Sequence, residues 1–244
     1  MSQFALPEYQ HPQDQRPEKT LPVTPLTSLP IPDLREAENK IGVLITQAMS
    51  QPHTTVLAFL SSEDDDIFLE GTGSIVLDRA NGKAYCALSP RADEELFIEF
   101  CEDFEFTPVI FEAFQTVNGE RKHIYHTNVI MCVGETFAVI CADCIDDKKE
   151  RKMVLDSLKG DEKEVILITE DQVNNFAGNM LEVKGNDDRR YLIMSASAHQ
   201  SLTKKQIAQL EEHVTIVNSS LDTIEACGGG SARCMMAEIF LPRE

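Results

Sequence analysis

The run Phe68-Leu69-Glu70-Gly71-Thr72-Gly73-Ser74-Ile75-Val76-Leu77-Asp78-Arg79-Ala80-Asn81-Gly82-Lys83-Ala84-Tyr85-Cys86-Ala87-Leu88 decides the fold. Two apolar, β-prone segments, Phe68 to Leu77 and Lys83 to Leu88, flank Asn81-Gly82. That dipeptide accepts the positive φ angles of a two-residue hairpin turn, so the run reads as two antiparallel strands. A helix is expected over Ala92 to Glu102 and a strand over Thr107 to Ala113.

The chain then repeats this order. Strands are expected over Ile124 to Val133 and Thr136 to Ile145, joined at Gly134-Glu135, with a helix over Asp147 to Leu158 and a strand over Glu164 to Thr169. A third round has strands Asn179 to Lys184 and Arg190 to Ala196 around the turn Asn186-Asp187-Asp188. Its helix, Lys204 to His213, starts at a Thr203/Gln206 capping box and leads to strand Val214 to Asn218. Hairpins thus open near residues 68, 124 and 179, a period of about 55 residues. A ββαβ unit is present three times, and repeats of this length build radial or stacked arrays in which each unit covers its neighbour's apolar face. The alternative, a doubly wound sheet, has no hairpin in every unit.

The flanks look like parts of further units. Asp33 with Glu36 forms a capping-box signal, and Ala37, Ile41, Leu44, Ile45 and Ala48 follow at helical spacing before a short strand, Thr55 to Leu60. Met235 to Leu241 reads as a last strand. Seven of the eleven prolines fall within the first 32 residues, a composition that cannot bury a core. Residues 1–32 are therefore expected to be a disordered tail and 33–244 the folded domain. The acidic run Glu63 to Asp66 reads as a solvated turn.

Composition narrows the function classes. Apolar residues make up 42% of the 244, enough for one domain with a real core. A net charge of −19 argues against a surface that tracks nucleic-acid phosphates, which needs clustered Lys and Arg. No run approaches the length of a membrane span, and no secretory signal pattern opens the chain. Seven cysteines, an odd number scattered through apolar runs, suit a reducing compartment, so a cytoplasmic location is expected.

Chemistry-bearing residues recur at the unit starts. Glu70 sits there in the first unit, His126 in the second, Asn179 in the third, and Cys234 in Cys227-Gly228-Gly229-Gly230-Ser231-Ala232-Arg233-Cys234. A glycine-rich loop that sets a cysteine beside an arginine can expose and activate a thiolate. A turn before a terminal strand, with Cys234 an inert core residue, is the alternative. Cys227 reads as structural. Cys141-Ala142-Asp143-Cys144 has redox or metal spacing, but it lacks a second pair and falls in an expected strand, so it is discounted.

In order and spacing, Glu70, His126 and Cys234 resemble the triad of the amidinotransferase superfamily, which includes arginine deiminase and dimethylarginine dimethylaminohydrolase. The gaps are 56 and 108 residues. Phe68 to Ser74, Leu88-Ser89-Pro90-Arg91, Tyr125 to Met131, Phe176 to Met180 and Gly228 to Pro242 are most similar to the citrulline-utilising hydrolase branch. The resemblance covers roughly residues 55 to 242 and implies a pseudo-five-fold α/β propeller, or pentein. It also implies a hydrolase acting on the guanidino or ureido carbon of an arginine- or citrulline-like small molecule, with a covalent Cys234 intermediate. His126 would serve as acid and base, and Glu70 would hold substrate N–H groups or orient the imidazole. Arg91 would bind a substrate carboxylate, and Asn179 would shape the pocket. No metal, no organic cofactor, no nucleic acid and no membrane partner is implied, and a homo-oligomer is allowed.

The family fold needs about five units, and three whole ones are legible. The early substrate-contacting motif has no counterpart between Met1 and Asp33. An active hydrolase, an amidinotransferase, a truncated product, and a binding protein that keeps the triad without turnover therefore all stay open.

Overall fold

The computed structural model describes residues 67–185 and 187–236. The expected tail, the Asp33 helix, the Thr55 strand, the acidic run and the end of the last strand lie outside the described residues.

The described elements, in chain order, begin with a short turn of helix α1 (Gly71–Ser74), strands β1 (Ile75–Asp78) and β2 (Lys83–Leu88), helix α2 (Glu94–Asp103) and strand β3 (Thr107–Glu112). A hairpin follows, β4 (Phe114–Val117) and β5 (Glu120–His123). The second unit has β6 (Met131–Val133), β7 (Phe137–Ile140), helix α3 (Lys148–Gly160) and β8 (Glu164–Leu167), then the short helix α4 (Glu170–Val173). The third has β9 (Leu181–Lys184), β10 (Arg190–Ser195), helices α5 (Ala196–Ser201) and α6 (Lys204–Glu211), and β11 (Thr215–Ser219); α7 (Asp222–Gly228) comes last.

Each unit makes its own three-stranded sheet, ordered β1-β2-β3, β6-β7-β8 and β9-β10-β11. In each, the first pair is antiparallel and the second parallel across the helix. The ββαβ repeat is therefore present in the structure as well as in the sequence: a mixed α/β fold of several small sheets.

Local signals explain the helices. The Asp93 side chain accepts from Leu96 N–H at 3.1 Å, and Glu94 and Glu95 occupy the first turn of α2. Both features complement the unpaired N–H groups and positive end of the helix. Asp147 caps α3 through Lys149 and Glu150 N–H, and Val154 and Leu158, four apart, turn its apolar face inward. Thr203 and Gln206 make the expected capping box on α6.

Strand alternation builds the core. Along β2, Tyr85 and Ala87 enter a large cluster shared by all three units, while Ala84 and Cys86 enter a smaller one with Phe97 and Cys101 of α2. Both faces of β2 are buried because successive side chains point to opposite sides.

Three readings change in detail. Asp78 pairs with Lys83 across the ladder, so Asn81-Gly82 closes a four-residue loop instead of a two-residue one. The Asp78 carboxylate holds it by accepting from Asn81 N–H and Nδ2 at 3.3 and 3.0 Å. The β4–β5 hairpin, absent from the sequence reading, turns at Asn118-Gly119 with φ of 53° and 80°, the two-residue geometry expected of the first hairpin. Lastly, the unit starts are not strands. Glu70 precedes helix α1, His126 precedes a 3₁₀ turn at Thr127–Val129, and Asn179 precedes β9. Side chains there bond neighbouring backbone and so compete with a ladder. Cys141 likewise leaves β7 for a 3₁₀ turn, Ala142–Cys144.

Candidate active site

Helix α1 begins at Glu70, which makes no side-chain cap bond to it. The carboxylate is thereby left to reach His126, whose Nε2 lies 2.6 Å from Oε2. This contact assigns the Nε2 proton as the donor to Glu70. Glu70 N–H and Ser74 Oγ–H both donate to Arg91 O, at 3.0 and 2.9 Å, which fixes the start of the first unit against the Ser89–Ala92 turn.

Gly73 lets the imidazole sit where it does. A Cβ there would meet the His126 ring at 2.8 Å, closer than real Cβ contacts approach. From the next two residues, Thr127 Oγ1–H donates to Ser74 O while accepting Ala87 N–H at 2.8 Å, and Asn128 Nδ2 donates to Thr72 O at 3.0 Å. Both side chains are buried, so these bonds replace lost water contacts.

Cys234 approaches from another direction. Helix α7 ends on Gly229 at φ 66°, the left-handed cap that glycine takes without strain. Buried Ser231 donates to Glu225 Oε1 at 2.6 Å, and Glu225 also accepts from Ser197 of α5, tying this loop to the third unit. A 3₁₀ turn, Arg233–Met235, then presents the exposed Cys234 thiol. The turn departs from the expected strand beginning at Met235.

Asn179, 3% exposed, lies against that turn. Its Oδ1 accepts Arg233 N–H at 3.1 Å, and its Nδ2 lies 3.2 Å from Cys234 Sγ and 3.3 Å from Asn128 O. His126, Asn179 and Cys234 together line a cavity of about 170 Å³, with Tyr125, Asn128, Phe176 and Gln115 on its other walls.

Glu70 stands behind His126 and is not among the lining residues; Arg91 is not either. The Arg91 guanidinium is 3.5 Å from Glu70 Oε2 and 5.5 Å above the Tyr125 ring. Burial raises the Tyr125 phenol above its ordinary pKa, the nearby Cys234 sulfur adds to this, and Arg91 opposes it.

Tyr125, Asn128 and Gln115 were not singled out from sequence. Tyr125 and Asn128 flank His126, and their register with Glu70-Gly71-Thr72 is the signal that could have found them. Gln115 rides on the unanticipated hairpin. Cys141 and Cys144 are fully buried, and Cys227 is exposed on α7. Among the described residues, no group of three or more His, Cys, Asp or Glu side chains is placed to hold a metal ion. No described helix is long and apolar enough to cross a membrane.

The fold has counterparts among solved structures. Solved structures sharing its fold include ArgZ, an arginine dihydrolase from the ornithine-ammonia cycle in Cyanobacteria, in its apo form (TM-score 0.60, 15% identity, 84% of this chain and 29% of that one). The N-terminal domain of ArgZ, covalently bound to a reaction intermediate, aligns with TM-score 0.58 and 19% identity over 82% of this chain and 65% of that one. AgrE, solved with ornithine and NAD+, aligns with TM-score 0.53 and 16% identity, covering 72% and 23%. The chain thus spans under two thirds of each of these structures. No curated protein matches it. Residues 32–241 match the family described as N,N dimethylarginine dimethylhydrolase, eukaryotic, and the chain belongs to that family.

Proposed function

We propose that this protein is a cysteine-dependent hydrolase of an arginine- or citrulline-like small molecule, acting at the guanidino or ureido carbon on a pentein scaffold. One observation carries the reading: a 2.6 Å Glu70–His126 pair and the Cys234 thiol serve one cavity.

A guanidino or ureido carbon is a weak electrophile, so a thiolate nucleophile divides the reaction into two lower barriers. Cys234 Sγ bonds to that carbon. The leaving nitrogen takes a proton from His126 and departs as ammonia or an amine. Water then attacks the carbon, gives its proton back to His126, and the C–S bond breaks to restore the thiolate. Glu70 suits the orienting role better than direct substrate binding, because its Oε2 is held by the imidazole. Arg91 would take a substrate carboxylate; its position over Tyr125, a lining residue, supports that role, although Arg91 itself does not line the cavity.

The test is purified full chain with arginine, citrulline, dimethylarginine and agmatine in turn. Release of ammonia or amine, and an adduct mass on the Cys234 peptide, are expected with at least one. A folded sample that releases nothing and forms no adduct with any of them would sink the hydrolase reading.

A further inference from the structure

We infer that Asn179 is the positioning residue of the nucleophile, presenting its side-chain N–H to the Cys234 thiolate and its carbonyl to the loop that carries it. The inference rests on the hydrolase reading and adds a role that reading does not assign.

The orientation of the Asn179 amide is fixed by its partners. Arg233 N–H can only donate, so the atom it meets at 3.1 Å must be Oδ1. The opposite end is then the NH₂ group, which faces the Asn128 carbonyl at 3.3 Å and Cys234 Sγ at 3.2 Å. The reversed amide would set N–H against N–H and carbonyl against carbonyl. Its donor hydrogens are directed at Asn128 O and Sγ, and its carbonyl accepts Arg233 N–H and also lies 3.6 Å from Sγ, where only the protonated thiol could donate to it, so the nearer N–H is the contact that suits the thiolate.

The backing is equally defined. Asn128, itself 3% exposed, donates its Nδ2 to Thr72 O, so the amide facing Cys234 is anchored through Asn128 to the turn that starts at Glu70. The three unit starts are thus joined in one chain of hydrogen bonds that ends, through Asn179, at the sulfur.

A buried N–H directed at sulfur favours the charged form over the thiol. The ionisable groups near Cys234 include His126 and Tyr125 on the cavity walls, Glu70 and Arg91 behind them, Arg233 just before it in the chain, and Glu225, which holds Ser231 of the same loop. His126 and Arg233 can supply positive charge. Asn179 stabilises the thiolate without adding one, leaving the cavity's charge balance to the substrate.

The experiment is the rate of iodoacetamide alkylation of Cys234 against pH in the full-length protein, read on its peptide by mass spectrometry. Exposed Cys227 serves as the reference within the same molecule. Wild type should alkylate at Cys234 faster than at Cys227, with a lower midpoint. In Asn179→Leu the Cys234 midpoint should rise by about one to two pH units, and the rate at neutral pH should fall about tenfold or more. Asn179→Ala removes the donor without adding a charge or bulk, so it should raise the midpoint as well. It also provides the answer should the leucine variant not fold. A purely structural role would leave the alanine midpoint at the wild-type value, and that result overturns the inference. If wild-type Cys234 shows no advantage over Cys227, the hydrolase reading fails first.

Discussion

The two ends of the repeat units are joined by different chemistry. At the hairpin-turn ends the staples are charged. Lys163 Nζ, fully buried, pairs with Asp78 at 3.1 Å and donates to the Gly134 and Glu135 carbonyls at 2.9 Å each. Lys83 pairs with Asp161 at 2.7 Å, and Arg190 joins Glu182 and Glu135. At the unit starts, where Cys234 and His126 sit, the Glu70–His126 pair belongs to the site itself, and the other side chains that link units there are neutral: Thr127, Asn128 and Asn179. Charged pairs next to a nucleophile would compete with its thiolate and with the substrate. Neutral donors fix the same backbone without that field. Stability and chemistry are thus assigned to opposite ends of the same short strands.

The largest expected effect tests that separation at the site. His126→Ala should slow turnover by about 10²- to 10⁴-fold while barely moving the urea midpoint; equal losses in both would contradict the division. At the far end, Lys163→Met should leave Asp78 buried without its cation and cost about 3–5 kcal/mol in urea unfolding. Cys234 in the folded fraction should alkylate as in wild type. Thr127→Val is smaller. It strands Ala87 N–H in the core at about 1–3 kcal/mol, and it should lower the unfolding midpoint with the Glu70–His126 pair intact by pH profile.

The smallest is an acid-side effect. His213 and Gln209 hold the Glu164 carboxyl below its ordinary range. A depressed carboxylate pKa contributes stability that is present above the unfolded value, about 4.3, and lost as pH falls through the folded one. Glu164→Gln should flatten the loss of thermal stability below about pH 4, modestly, because the group is partly exposed.

The difference between the ends also explains what could be read from sequence. The hairpins, helices and caps follow from local rules: Asp147 before a helix, Thr203 with Gln206, apolar residues at periods of two and four. Glu70, His126 and Asn179 could be singled out because each occupies the same place in successive units. What was not legible depends on side chains bonding backbone far away in sequence. Thr127 reaching Ser74 and Ala87, and Asn128 reaching Thr72, turned expected strand starts into turns. Neither bond leaves a local trace. The Asn118-Gly119 hairpin had a trace, but its strands are short, and β5, Glu-Arg-Lys-His, has no apolar face.

That hairpin carries a consequence of its own. Gln115, on β4, forms part of the cavity wall, yet β4 and β5 pair only with each other among the described strands. Arg121 of β5 reaches Asp146 and Glu170, and Glu170 also accepts Thr116 N–H at 3.1 Å. These contacts lie at the surface, within reach of dissolved ions. At about 1 M salt the Debye length shrinks to about 3 Å and such a clasp weakens. The pocket should then become a function of ionic strength, with KM rising as salt is added while kcat, set by groups deeper in the fold, holds. A KM flat across the same range would show that the wall is held by something other than its arginine.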